Sequence, residues 1–281
     1  MARKATDLIL TAGLSLVSIS CQQPHDNDVR GMYDVTDINY EISETTEVLL
    51  TAESGEKLSR QDNIAFREGN PQGTLIVIRP DIVKQTIDGI GTSFTESSAF
   101  VLAHLDRDKR QEVMNRIYGE DGANFSMART MIGASDFSVK GRYSYAAVKG
   151  DVDLEQFSIA PDRAGFPAEE YPGVQDNAYD LLPMIEEALA IKSSQKDGNL
   201  NIIASAWTAP SWMKDIEDWY IPGSEENKWQ GTGGELKPQY IPVYADYLTR
   251  YLDAYRKEGV DIWGLTPVNE PHGNNGQWES M

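Results

Sequence analysis

Glu270 stands between two prolines, in Thr266-Pro267-Val268-Asn269-Glu270-Pro271, directly after the apolar run Ile262-Trp263-Gly264-Leu265. Proline fixes its own φ and disfavours helix in the residue before it, so the backbone around Asn269-Glu270 is pinned and non-helical. A buried strand that hands a carboxylate to its exit loop is where barrel enzymes keep their chemistry. The plainer alternative is a strand-end glutamate that caps a turn. Upstream, three more groups sit where strands are expected to end. Arg129 closes one apolar run and is followed by Ser135-Asp136-Phe137, and Trp207 closes another, with Trp212 close behind. A carboxylate, an amide, an arginine, an aspartate and tryptophans on one face suit glycoside hydrolysis. There one carboxylic acid protonates the leaving oxygen, and a second attacks the anomeric carbon or activates water. Indole faces pack on the apolar C–H faces of sugars, Asp and Asn bond hydroxyls, and an Asn beside the acid can hold the 2-hydroxyl. Each residue also has a structural alternative: Asp136 as a turn cap, Arg129 as an ion-pair partner, Trp207 as core.

Other chemistries find less support. The three histidines, His25, His104 and His272, are scattered, and with the single Cys21 they form no metal-ligand spacing. No Gly-x-Ser-x-Gly elbow exists for a serine nucleophile. Gly89-Ile90-Gly91 would need a third glycine at Phe94 to read as a dinucleotide fingerprint. Neither metal nor nucleotide nor flavin is expected as a cofactor. With 25 Lys and Arg against 44 Asp and Glu the net charge is −19, which repels phosphate backbones and argues against nucleic acid as a partner. A neutral sugar meets no such barrier.

The elements that must position these groups alternate. A strand is expected at 87–91, then a helix carrying Val113, Met114, Ile117 and Tyr118 up to Gly119. A strand at 125–129 precedes a loop of about fifty residues, a length that is usually functional or carries extra elements. A helix through Leu181, Leu182, Ile185, Ala188 and Leu189 follows, then a strand at 201–206 and an aromatic loop. The stripe Tyr240, Tyr244, Tyr247, Leu248, Tyr251, Leu252, Tyr255 predicts a helix packed on a sheet and closed by Gly259. The strand at 262–265 comes last. Long loops after strands and short links before them fit an α/β fold, the (β/α)8 TIM barrel. Residues 87–281 are fewer than the roughly 250 of a complete barrel, so about the first four β/α units are expected, a truncated barrel. Residues 41–86, with β-rich pieces at 47–51 and 74–79, read as part of a small side β-domain, and 22–40 as a flexible tether. Residues 1–21 resemble a bacterial lipoprotein signal: Arg3 and Lys4, an apolar run at 8–19, then Ser20-Cys21. Ser18 stands where leucine is usual, and Asp7 lies within the basic part. Export is expected, to the periplasm, the cell surface or the medium, with membrane attachment through an acylated Cys21.

Four motifs in register carry a resemblance. Asp88-Gly89-Ile90-Gly91, Ala128-Arg129 with Ser135-Asp136-Phe137-Ser138, Ala204-Ser205-Ala206-Trp207-Thr208-Ala209-Pro210-Ser211-Trp212-Met213-Lys214, and Thr266-Pro267-Val268-Asn269-Glu270-Pro271 together resemble glycoside hydrolase family 30, in its glucosylceramidase-like branch. The resemblance runs from about residue 85 to 272. It implies a retaining β-glycosidase with Glu270 as general acid/base and Asn269 at the 2-hydroxyl. It further implies that Asp136 and Trp207 grip the non-reducing sugar and that Arg129 supports the nucleophile side. Phe137 and Trp212 become candidates for the aglycone side, with loop packing the alternative for Trp212, Trp219 and Trp229. In that family the nucleophilic glutamate comes from strand seven, so a chain holding only four strands is expected to be inactive by itself. The implied substrate is a β-glucoside, glycolipid or oligosaccharide. A β-1,6-glucanase is the nearest alternative, and an inactive sugar-binding surface lipoprotein is an alternative of another class. The loop at 212–236 is expected to separate the first two.

Overall fold

The structure, a computed structural model, describes residues 45–65, 76, 79 and 81–271. The leader with Cys21, the tether, most of 74–79 and His272 lie outside the described residues. The chain divides into two compact units, Met1–Ile82 and Val83–Met281. In the first, β1 (Thr45–Thr46) pairs antiparallel with β4 (Ile64–Ala65), and β2 (Leu49–Leu50) with β3 (Ser59–Arg60). The ribbon turns at Gly55, whose φ of +112° suits a residue without a side chain.

In the second unit four parallel strands follow one another in chain order: β5 (Gly91–Phe94), β6 (Met127–Ile132), β7 (Asn201–Ala206) and β8 (Ile262–Thr266). The helices are α1 (Glu96–Ala103), α2 (Arg107–Tyr118), α3 (Leu181–Ser193) and α4 (Ile241–Lys257). Their starts are written locally, because Thr95, Asp106 and Asp180 cap the first three by accepting from backbone N–H groups. The β/α alternation is that of a (β/α) barrel carried through four strands.

Side chains alternate across the sheet. Ala128, Ile132, Ile202, Ala204 and Ala206 join a buried core with Met114, Leu181, Leu182 and Ile185 of the helices. The opposite face carries the register rows Ser93–Arg129–Ile203–Gly264 and Met131–Ser205–Thr266. Polar side chains therefore collect on that inner face, towards the strands' C-terminal ends.

Two expectations need correction, and one element was missed. The strand expected at 125–129 runs at Met127–Ile132, which puts Arg129 in mid-strand. Phe125 spends its N–H on Ile117 at the end of α2 (3.2 Å) and not on a strand. The strand expected at 87–91 begins only at Gly91, since Ile87 and Ile90 are exposed. A Cβ on Gly91 would lie 2.0 Å from the Met127 carbonyl oxygen, so this close approach admits only glycine. Helix α1 was not foreseen at all.

The long segment between β6 and α3 is ordered by burial. Tyr145 stacks on Tyr251 and Tyr247 of α4 at 5.7 and 6.1 Å. Asp162, fully buried in a short 3-10 turn (Ala160–Arg163), accepts hydrogen bonds from Tyr145 and Tyr255, each at 2.6 Å, and a longer one from Tyr143 at 3.3 Å. Burial pushes this carboxyl up to about 7, against the opposing pull of the tyrosine hydroxyls.

Candidate active site

Arg129 organises the inner face. Its Nε donates to Ser205 Oγ (2.9 Å) and its Nη2 to Asn269 Oδ1 (2.8 Å), while the guanidinium lies 4.5 Å over the Trp207 ring. Thr266 donates to the same Ser205 hydroxyl at 2.6 Å, joining β6, β7 and β8 through one oxygen. Half-burial lowers the Arg129 pKa, and the carboxylates of Asp136 and Glu270 oppose that shift. Both acids thus act on the same cation. With Asn269 and Trp207, the four residues expected at substrate are gathered around Arg129.

The acid/base candidate is exposed and sits at a φ of +42°. A non-glycine residue holds that conformation only where its surroundings enforce it. One contact to the loop that carries it was missed in the sequence: Tyr244 of α4 donates to the Pro267 carbonyl at 2.5 Å. The tyrosine stripe signalled packing, and nothing in its spacing marked one hydroxyl as a tether for the Glu270 loop. Tyr244→Phe is expected to cost about 1 kcal/mol of stability. It should also slow turnover several-fold, measured by denaturant unfolding and steady-state kinetics on the same preparation.

Asp136 is held outward by its turn. Ser138 Oγ accepts from the Ser135 N–H (2.9 Å), Ser135 Oγ from the Phe137 N–H (3.1 Å), and the Ser135 carbonyl from the Ser138 N–H (3.1 Å). Phe137 is 50% exposed and lines a cleft of about 700 Å3 with Ser93, Thr95, Arg129, Met131 and Trp207. Trp207 is buried, and its indole N–H has no partner among the described residues. Such a donor is costly to leave unmet; the Trp207 ring lines the cleft while the N–H itself is shielded from solvent.

Trp212 does not fit the aglycone expectation. It is 5% exposed, belongs to the core, donates to the Ala146 carbonyl (2.8 Å) and meets Tyr240 edge-on at 5.1 Å. The loop-packing alternative describes it. Its neighbour Lys214 is fully buried and donates to the carbonyls of Trp219 (2.5 Å) and Gly233 (2.6 Å), folding the loop after β7 around one ammonium. Burial pulls Lys214 down to about 8, partly offset by Asp218 and Asp215. Trp229, 73% exposed, remains the aromatic that this loop displays. Among the described residues no group of three or more His, Cys, Asp or Glu side chains is arranged to hold a metal, and no helix is long and apolar enough to cross a membrane.

Residues 87–280 match the glycosyl hydrolase family 30 TIM-barrel domain. The lysosomal acid glucosylceramidase of Mus musculus is 26% identical over 199 residues, 71% of this chain and 34% of that protein. The endo-1,6-beta-D-glucanase of Neurospora crassa is 30% identical over 200 residues, 70% of this chain and 36% of its own length. A solved endo-β1,6-glucanase superposes with a TM-score of 0.53 at 30% identity, covering 79% of this chain and 42% of that one. The chain therefore spans less than half the length of these relatives.

Proposed function

The chain belongs to glycosyl hydrolase family 30, and from that premise we propose that the protein is a retaining β-glycosidase with Glu270 as its general acid/base. The observation that carries this reading is the hydrogen bond between Arg129 and Asn269 beside Glu270. Because Asn269 Oδ1 already accepts from Arg129, its Nδ2 is the end left to donate to a sugar 2-hydroxyl, a contact that strengthens in the transition state. The Trp207 ring lining the cleft and the exposed carboxylate of Asp136 are suited to the apolar face and a hydroxyl of the same sugar. Glu270 then protonates the departing glycosidic oxygen and, in the second step, takes a proton from water. The reaction requires a nucleophilic carboxylate roughly 5 Å from the acid. In this reading it comes from a strand other than the four described.

Glucosylceramidase-type hydrolysis of a β-glucoside is the leading assignment, in keeping with the glucosylceramidase-like motifs. A β-1,6-glucanase is the second reading, favoured by the 30% identity to two endo-1,6-glucanases. The basic, apolar and Cys21 order of the leader supports export and anchoring as part of the proposal. The test is hydrolysis by the protein expressed from its complete coding sequence. Release of glucose from glucosylceramide supports the first reading, and shortening of a β-1,6-glucan supports the second. Glucoside binding, seen as a tryptophan fluorescence shift without turnover, would instead make it a sugar-binding protein.

A further inference from the structure

Glu96 is the first residue of α1, is 3% exposed, and has no part in the chemistry described above. A buried carboxylate needs partners, and it finds them in the segment that follows Asp136-Phe137. Its Oε2 accepts from the backbone N–H groups of Val139 (2.5 Å) and Lys140 (2.9 Å). Its Oε1 lies 3.2 Å from Lys140 Nζ, an ion pair without hydrogen-bond alignment. That ammonium continues to Asp180 (2.5 Å) and to the Pro161 carbonyl (3.0 Å). The next residue of the helix grips the same segment from its other side. Ser97 donates to the Phe137 carbonyl through both its N–H (3.1 Å) and its hydroxyl (2.6 Å). The Ser97 N–H is one of the first-turn donors that a helix leaves without an internal partner, so here the helix end itself becomes a clamp.

We infer that Glu96 is a positioning residue: by holding the amides of Val139 and Lys140 it fixes the turn that sets Asp136 near Arg129 and Phe137 in the cleft. The inference rests on the glycosidase reading, in which Asp136 binds the sugar. Glu96 touches no reacting atom. What it supplies is a fixed distance, set by the length of its side chain between the helix start and two backbone amides. Its charge serves the pairing with Lys140, and the clamp itself needs only an acceptor at that reach.

Two near-isosteric substitutions separate reach from charge in the protein expressed from its complete coding sequence. Glu96→Gln keeps the length and an acceptor oxygen while losing the charge. Glu96→Asp keeps the charge and loses one methylene of reach. On a β-glucoside, Glu96→Asp should raise KM about tenfold with kcat little changed, whereas Glu96→Gln should stay within about threefold of the parent. In an Asp136→Ala background the penalty of Glu96→Asp should shrink to less than about threefold, because the group being positioned is gone. Glutamine proving as damaging as aspartate, or an undiminished penalty in the Asp136→Ala background, overturns the inference. A parent protein without turnover refutes the glycosidase reading alone. Hydrogen exchange at the Val139 and Lys140 amides still decides the clamp: faster exchange in Glu96→Asp than in Glu96→Gln supports it, and equal rates overturn it.

Discussion

Glu270→Gln is expected to lower kcat on an unactivated β-glucoside by about 10²- to 10⁴-fold, the contribution typical of a positioned general acid/base. Glutamine fills the same space and cannot deliver a proton, so binding should survive while bond cleavage fails. The pattern across substrates is more telling than the loss itself. A glucoside whose leaving group departs without protonation should retain much of its first step, leaving hydrolysis of the glycosyl-enzyme as the slow one. Added azide, which needs no general base, should then restore turnover. Equal losses for poor and good leaving groups would remove Glu270 from the acid role. The strained backbone at this residue bears on the same point. The loop that carries it is tied to α4 through Tyr244 and the Pro267 carbonyl, and a substitution that frees the loop is expected to mimic part of the loss without touching the carboxyl.

The second large effect concerns stability and centres on Asp162. Its folded-state pKa of about 7 lies above the ordinary carboxylate value of 3.8. A carboxyl raised on folding contributes stability that is fully present below the unfolded pKa. That contribution is lost as pH rises through the folded pKa. The difference of roughly three units corresponds to about 4 kcal/mol across the window from pH 4 to 7. Asp162→Asn, neutral at every pH, should therefore gain on the parent steadily through that window. Measured as the difference in unfolding free energy, the gain should level off above pH 8. A pH-independent difference would place the proton elsewhere. Asp162→Ala is a harsher test, since it strands the buried hydroxyls of Tyr145 and Tyr255. A loss of about 2–5 kcal/mol is expected from the unmet donors and the void together.

Much of this architecture was legible before any coordinates. The run at 201–206 is apolar and alternates with small residues, and β7 occupies those positions. The tyrosine stripe with Gly259 beyond it became α4, with Tyr244, Tyr247, Tyr251 and Tyr255 buried. The two strand misreadings have a common source: apolar residues were taken as strand where the fold uses them otherwise. Phe125 is tied to the end of α2, and Ile87 and Ile90 are exposed ahead of a strand made of Gly-Thr-Ser-Phe. Within the candidate site, Arg129, Asn269, Trp207 and Glu270 were nominated because their residue types imply a chemistry, and the structure brings them together around Arg129. Tyr244 and Glu96 were not, because their work lies in contacts to backbone atoms 23, 43 and 44 residues away. Spacing along the chain carries no trace of such contacts. Trp212 shows the converse: an aromatic in a suggestive motif was claimed by packing, and only its burial reveals that.

The order of the sheet has a consequence for how the protein is made. Strands β5 to β8 lie side by side in the order in which they are synthesised. Each strand therefore emerges to find its partner already in place, and the sheet can grow by addition at one side. The clasp on Asp162 breaks this pattern, because one of its donors, Tyr255, follows 93 residues later. Until α4 has been synthesised, the segment carrying Asp136 lacks the helix it packs on, and the Asp162 carboxyl stays hydrated. Docking of that helix dehydrates the carboxyl in a late event, so the Asp162 clasp closes last although the turn at Asp136 can already be held by α1.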